Sequence, residues 1–118
     1  MNLEFRAVKE GRTVAGWVKS LKGKSGVYII RERGFMGGIL YVGESHSGRL
    51  GTTLLRHFQH WTGPIAGPTF PVSKVEVSIV KTRAENAVET QDAIIAEYAP
   101  ELNVVGKPKG FWETLFGS

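Results

Sequence analysis

The chain contains no cysteine. Disulfide staples, thiolate metal sites, thiol redox chemistry and a cysteine nucleophile are therefore excluded, and the absence suits a reducing compartment. Long apolar runs are missing as well. No stretch approaches the roughly 20 apolar residues needed to cross a bilayer, so no membrane partner is expected. The opening residues MNLEFRAVKEG carry charge where a secretory signal needs an apolar core, which makes a cytoplasmic location the expectation. There is no phosphate-binding P-loop, no dinucleotide fingerprint, no interpretable Ser-His-Asp arrangement, no His-x-x-x-His pair and no internal repeat. What is present is an ordinary globular composition, 42% hydrophobic and 22% charged over 118 residues, enough to build a core without staples. One domain is expected over residues 1–106, followed by a basic and aromatic tail, 107–118, that contains FWETLF. The net charge of +4 and pI near 9.6 favour a polyanionic partner, although a solvated surface accounts for scattered lysines and arginines equally well.

Periodicity divides the chain into β, α, β, β, α, β, α. LEFRAV, residues 3–8, alternates and predicts a short first strand. Val14, Trp17, Val18 and Leu21 recur at helical spacing and predict a helix over 13–21, with Thr13 available as its N-cap. GVYII and GILYVG read as two strands joined by the Gly-rich RERGFMGG, a short link that predicts antiparallel neighbours. From Ser47 to Trp61, Leu50, Leu54, Leu55, Phe58 and Trp61 predict an amphipathic helix capped by Ser45 or Ser47. TGPIAGPTFP must be a loop, KVEVSIV a further strand, and residues 84–98 a last helix that stops before Pro100.

GVY at 26–28, YVG at 41–43, a following helix with Arg and His, and a last helix ending in PELN at 100–103 together resemble the GIY-YIG nuclease family over roughly residues 21–105. LKGKSGVY resembles the approach to the first motif in its excision-repair members. The resemblance implies an α+β fold, a small central three-stranded antiparallel sheet flanked by helices, here with an extra N-terminal strand. It implies an endonuclease that cleaves DNA phosphodiester bonds with one divalent ion, Mg²⁺ or Mn²⁺. In that family one tyrosine is thought to act as general base, an arginine steadies the phosphate and a glutamate holds the metal. Carried over residue by residue, the catalytic candidates are Tyr28 and Tyr41, Arg56 or Arg49 for the phosphate, and His60 in support. Lys24, Gly43 and Asn103 are candidates for contact with nucleic acid, the glycine because a residue without a Cβ lets a substrate backbone come close. Tyrosines on strands also simply pack a sheet, and Asn103 also serves to pin the chain after the last helix.

Arg56 and His60 have the Arg-x-x-x-His spacing and share a helix face with Thr53 and Arg49. The interval from YVG to Arg56 is longer than in the repair-type members by about one helical turn, which keeps Arg49 as the alternative counterpart. His57, about 100° around an ideal helix from Arg56, is the weaker candidate. The position nine residues before Pro100, where the repair-type members carry the metal-holding glutamate, is Gln91. An amide oxygen is a neutral and poorer ligand for a hard cation than a carboxylate. Glu89, about 200° around the helix from Gln91, takes its place only if the register shifts. Gln91 therefore keeps a second function open, a catalytically weakened or inactive module of the same fold that binds nucleic acid or a partner. A third, a protein-interaction domain working through FWETLF, follows from the tail alone. Substrate preference and oligomeric state are open at the level of sequence.

Overall fold

A computed structural model describes residues 2–34, 37–64 and 66–103; the tail and its FWETLF motif lie outside the described residues. The fold is α+β. A two-residue ribbon, β1 (Lys9–Glu10) and β2 (Thr13–Val14), leads into a single turn of helix, α1 (Gly16–Lys19), and then into β3 (Ser25–Glu32). β4 (Ile39–Ser45), α2 (Leu50–Arg56), β5 (Val75–Thr82) and α3 (Ala87–Tyr98) follow, with 3₁₀ turns before β5 and before α3. β3 is the centre of a three-stranded antiparallel sheet of order β4-β3-β5. Its five consecutive buried residues, Gly26 to Ile30, are what a strand covered on both faces and paired on both edges demands.

The pleat sorts β3 into two cores. Tyr28 and Ile30, with Tyr41 of β4 and Val75 and Val77 of β5, face Val18, Leu21, Leu50, Leu54, Phe70 and Leu102. Val27 and Ile29, with Val42, face Ile94 of α3 and the half-buried Leu3, Phe5 and Tyr98. Two packed layers thus sandwich one sheet, with α2 on the tyrosine face and α3 on the other. Ile30 opposes Tyr41 and Arg31 opposes Ile39, so Leu40 is the extra residue of a β-bulge.

Three predicted elements differ from the structure. LEFRAV contributes one bridge to the sheet, Arg6 with Val77, through two 2.9 Å bonds. The ribbon that turns at Gly11, whose φ is +65°, takes the chain away immediately afterwards. The helix expected over 13–21 shrinks to Gly16–Lys19 because Thr13 and Val14 pair in that ribbon, and the Thr13 hydroxyl donates to the Glu10 carbonyl instead of capping. The helix expected over 47–61 stops at Arg56. There the His57 carbonyl accepts from the Phe70 amide at 2.7 Å, while the amides of His57, Phe58 and Gln59 each reach back three residues and tighten the last turn. α3 agrees with the expected 84–98 apart from its opening 3₁₀ turn, and it closes with Ala99 at φ 45° just before Pro100.

Candidate functional site

The sequence alternation of β3 and the antiparallel register determine where the two motif tyrosines go. Tyr28 lies opposite Gly43, and Tyr41 opposite Ile30, so both phenols project from the same face toward α2. Their ring centroids are 6.3 Å apart. The third member of the nest is His57, 5.2 Å from the Tyr28 ring and 5.1 Å from Tyr41, with Phe70 closing the group at 6.0 Å. His57 is fully buried and Tyr28 is 2% exposed. Tyr41 is half-buried and is the outer of the two phenols.

The chemistry of the nest assigns its protons. His57 Nδ1 is 2.7 Å from the Pro68 carbonyl, an acceptor only, so Nδ1 carries the hydrogen and donates. Neutral imidazole then leaves Nε2 bare, and it accepts from the Tyr28 hydroxyl at 2.7 Å. Burial lowers the His57 pKa from the usual 6.5 to about 4, against a smaller upward pull from its bond to the Pro68 carbonyl. Burial also raises Tyr28 well above the ordinary phenol value, with Tyr41 and Glu44 adding to the effect, and raises Tyr41, with Glu44 adding there too. At neutral pH the nest is therefore uncharged, a phenol donating to an imidazole. Neither tyrosine is set up as a ready base.

A pH dependence follows from the imidazole. The unfolded chain protonates His57 near pH 6.5 and the folded chain not until about 4, so the unfolded state holds more protons between those values. Stability conferred by this group is complete above pH 6.5 and is lost as pH falls toward 4, by about 3 kcal/mol in all. Urea midpoints at about pH 7 and about pH 4.5 for the wild type and a His57→Gln variant measure it. A wild-type loss no larger than that of the variant would refute the assignment.

Gly43 is buried beneath this nest. A Cβ there would overlap the Tyr28 Cζ and Oη, so the space left by the absent side chain is filled by the protein's own phenol. Asn103 has its amide committed in the same way: Oδ1 accepts from the Val42 amide at 2.6 Å and Nδ2 donates to the Val42 carbonyl at 2.8 Å. The side chain thus imitates a neighbouring strand along β4 and fixes the chain after α3. The cationic candidates fall into two pairs along α2. Lys24, whose carbonyl accepts from the Leu50 amide, and Arg49, the residue preceding the helix, lie exposed at its N-terminal end. Arg56, seven residues or about 10 Å of helix away from Arg49, and His60, just past the helix, lie exposed at the other end and line a depression with Gln59, Trp61 and Thr62.

Gln91 lies on the stripe of α3 that carries Ala87 and Ile94, and it is half-buried over the sheet face that holds Val27, Ile29 and Val42. The tyrosines occupy the opposite face. Glu89 is exposed. Among the described residues no group of three or more His, Cys, Asp or Glu side chains comes together as a metal site. An amide on one face of the sheet and an exposed carboxylate about 200° around α3 from it do not fit a hard divalent cation. Glu44, directly after YVG, instead holds His46 Nδ1 at 3.0 Å.

The sequence pattern undervalued His57. Its signal was present: Leu50, Leu54 and His57 stand at i, i+4 and i+7, so the imidazole continues the buried stripe rather than the cationic one. Its partner Pro68 lies across a loop and left no such signal. Comparisons of this chain with protein-family models, with curated proteins and with solved structures found no match. Among the described residues no helix is long and apolar enough to cross a membrane.

Proposed function

We propose that this chain is a GIY-YIG-type domain that acts on DNA as an endonuclease, cleaving the phosphodiester backbone beside the Tyr41 phenol. The observation that supports the reading is the convergence of both motif tyrosines and an imidazole on one sheet face, under a helix that carries exposed arginines at both ends. In this reading Arg56 or Arg49 presents its planar fork of donors to a phosphate, His60 assists, and Tyr41, the outer phenol, meets the strand. Tyr28 and His57 act as positioning groups that hold the Tyr41 ring. Mg²⁺ or Mn²⁺ belongs to this reading only through the resemblance of the motifs.

A specific observation favours a second reading, a module that binds nucleic acid without cutting it. The metal position holds an amide, and burial keeps both phenols protonated. Purified wild type and Gln91→Glu are to be incubated with plasmid, branched and single-stranded DNA in Mg²⁺ or Mn²⁺, with Tyr41→Phe as the control. Nicking by the wild type above the Tyr41→Phe level supports the endonuclease, since one well-placed catalytic group contributes about a hundredfold or more; because position 91 lies over the opposite sheet face, Gln91→Glu is expected to cut no faster than the wild type. No cleavage above the Tyr41→Phe level by either protein, with DNA still bound, establishes the binding module in its place.

A further inference from the structure

The depression at the C-terminal end of α2, about 270 Å³ in volume, is lined by Arg56, Gln59, His60, Trp61 and Thr62. Its composition is that of a nucleotide contact: one large aromatic ring, a guanidinium whose carbon is 6.0 Å from that ring, an imidazole, an amide and a hydroxyl. Helical periodicity assigns Trp61 to the buried stripe of α2, but the helix ends at Arg56 and releases it to a half-buried place at the rim. The ring is not loosely held. It meets the His57 imidazole edge to face at 4.8 Å and 81°, and His57 is itself fixed by Tyr28 and Pro68. Gly67 keeps this contact open, since a Cβ there would come within 2.8 Å of His57 Cε1 and 3.2 Å of Trp61 Cζ3.

We infer that Trp61 is a stacking platform for an unpaired nucleobase, with Arg56 beside it for the phosphate of the same nucleotide. The site therefore selects single-stranded or flayed DNA over continuous duplex; this deepens the proposed action on DNA and rests on it. Stacking on an aromatic ring is tolerant of base identity because every base has a π-face, and a base inside a duplex is already stacked on its neighbours. A fixed ring loses little freedom when a base settles on it. The guanidinium gives charge and a planar fork to the adjoining phosphate.

The test is binding of a labelled short single strand, of an abasic strand of equal length and charge, and of a duplex, by fluorescence anisotropy in EDTA so that no cleavage intervenes. The expected result is about tenfold tighter binding of the base-bearing strand than of the abasic one. Trp61→Leu, which fills the volume without a π-face, is expected to erase that difference; Trp61→Phe keeps most of it, and Arg56→Ala weakens both strands alike. Thermal melting of each variant accompanies the titrations, so that a loss of fold in Trp61→Leu is told apart from a loss of stacking, and Trp61→Phe against wild type keeps the comparison in a folded protein. Equal affinity for base-bearing and abasic strands, or discrimination that survives Trp61→Leu, overturns the stacking platform. Duplex bound as tightly as the base-bearing single strand, with Trp61→Leu weakening neither, would leave the proposed action on DNA standing while removing this inference, and no binding of any strand would remove both.

Discussion

Replacing His57 by alanine is expected to destabilise the fold by about 5 kcal/mol, a large share of what a domain of this size possesses. Two costs combine. The ring is fully buried, so its removal leaves a cavity between Tyr28, Tyr41, Trp61 and Phe70. It also strips a donor from the Pro68 carbonyl and an acceptor from the Tyr28 hydroxyl, each 2.7 Å away and buried. Two smaller substitutions separate the costs. Glutamine places an amide near the Nε2 position and keeps a partner for Tyr28, whereas asparagine places one near Nδ1 and keeps a partner for Pro68. Each is expected to cost roughly half as much as alanine, read as ΔG from urea denaturation followed by circular dichroism. If His57→Ala lost under about 1 kcal/mol, the imidazole would not be the buried link that its geometry describes.

Gly43→Ala is expected to cost about 4 kcal/mol, for a reason that does not involve the conformational freedom of glycine. The new methyl group would occupy the place of the Tyr28 Cζ and Oη, and that ring cannot step aside while its hydroxyl is held by His57. Overpacking inside a close-packed nest displaces side chains from their rotamers or shifts the strand. A double-mutant cycle with Tyr28→Leu isolates the effect, because leucine lacks the distal ring atoms that the methyl group meets. In that background Gly43→Ala should cost only about 1 to 2 kcal/mol, a coupling of about 2 to 3 kcal/mol. Additive losses in the cycle would mean that something other than the phenol holds position 43 to glycine.

These two residues show how the sequence and the tertiary structure divide the description. Alternation and glycine placement marked GVYII, GILYVG and KVEVSIV as strands, and the apolar spacing of 84–98 with Pro100 behind it marked the last helix; all are elements of the structure. The central position of β3 is consistent with its continuous buried run. The short N-terminal elements were legible only as apolar spacing. Which of ribbon, bridge or helix they became depended on a turn at Gly11 and on the Arg6–Val77 pairing across the chain.

By itself the sequence determined that thiol chemistry is excluded, that an antiparallel α+β sheet forms around two tyrosine-bearing strands, and that an amide stands nine residues before Pro100. Such properties depend on residue identity and on neighbours a few positions apart, where side-chain period and backbone propensity act. The tertiary structure alone decided that α2 stops at Arg56, that Gly43 lies under a phenol, that Asn103 pairs with Val42 and that Gln91 lies across the sheet from both tyrosines. It also joined His57 to Tyr28 and Pro68, residues 29 and 11 positions away. Partners at such distances are selected by the packing of whole layers and by the need to satisfy every buried polar group, and no local pattern records that choice.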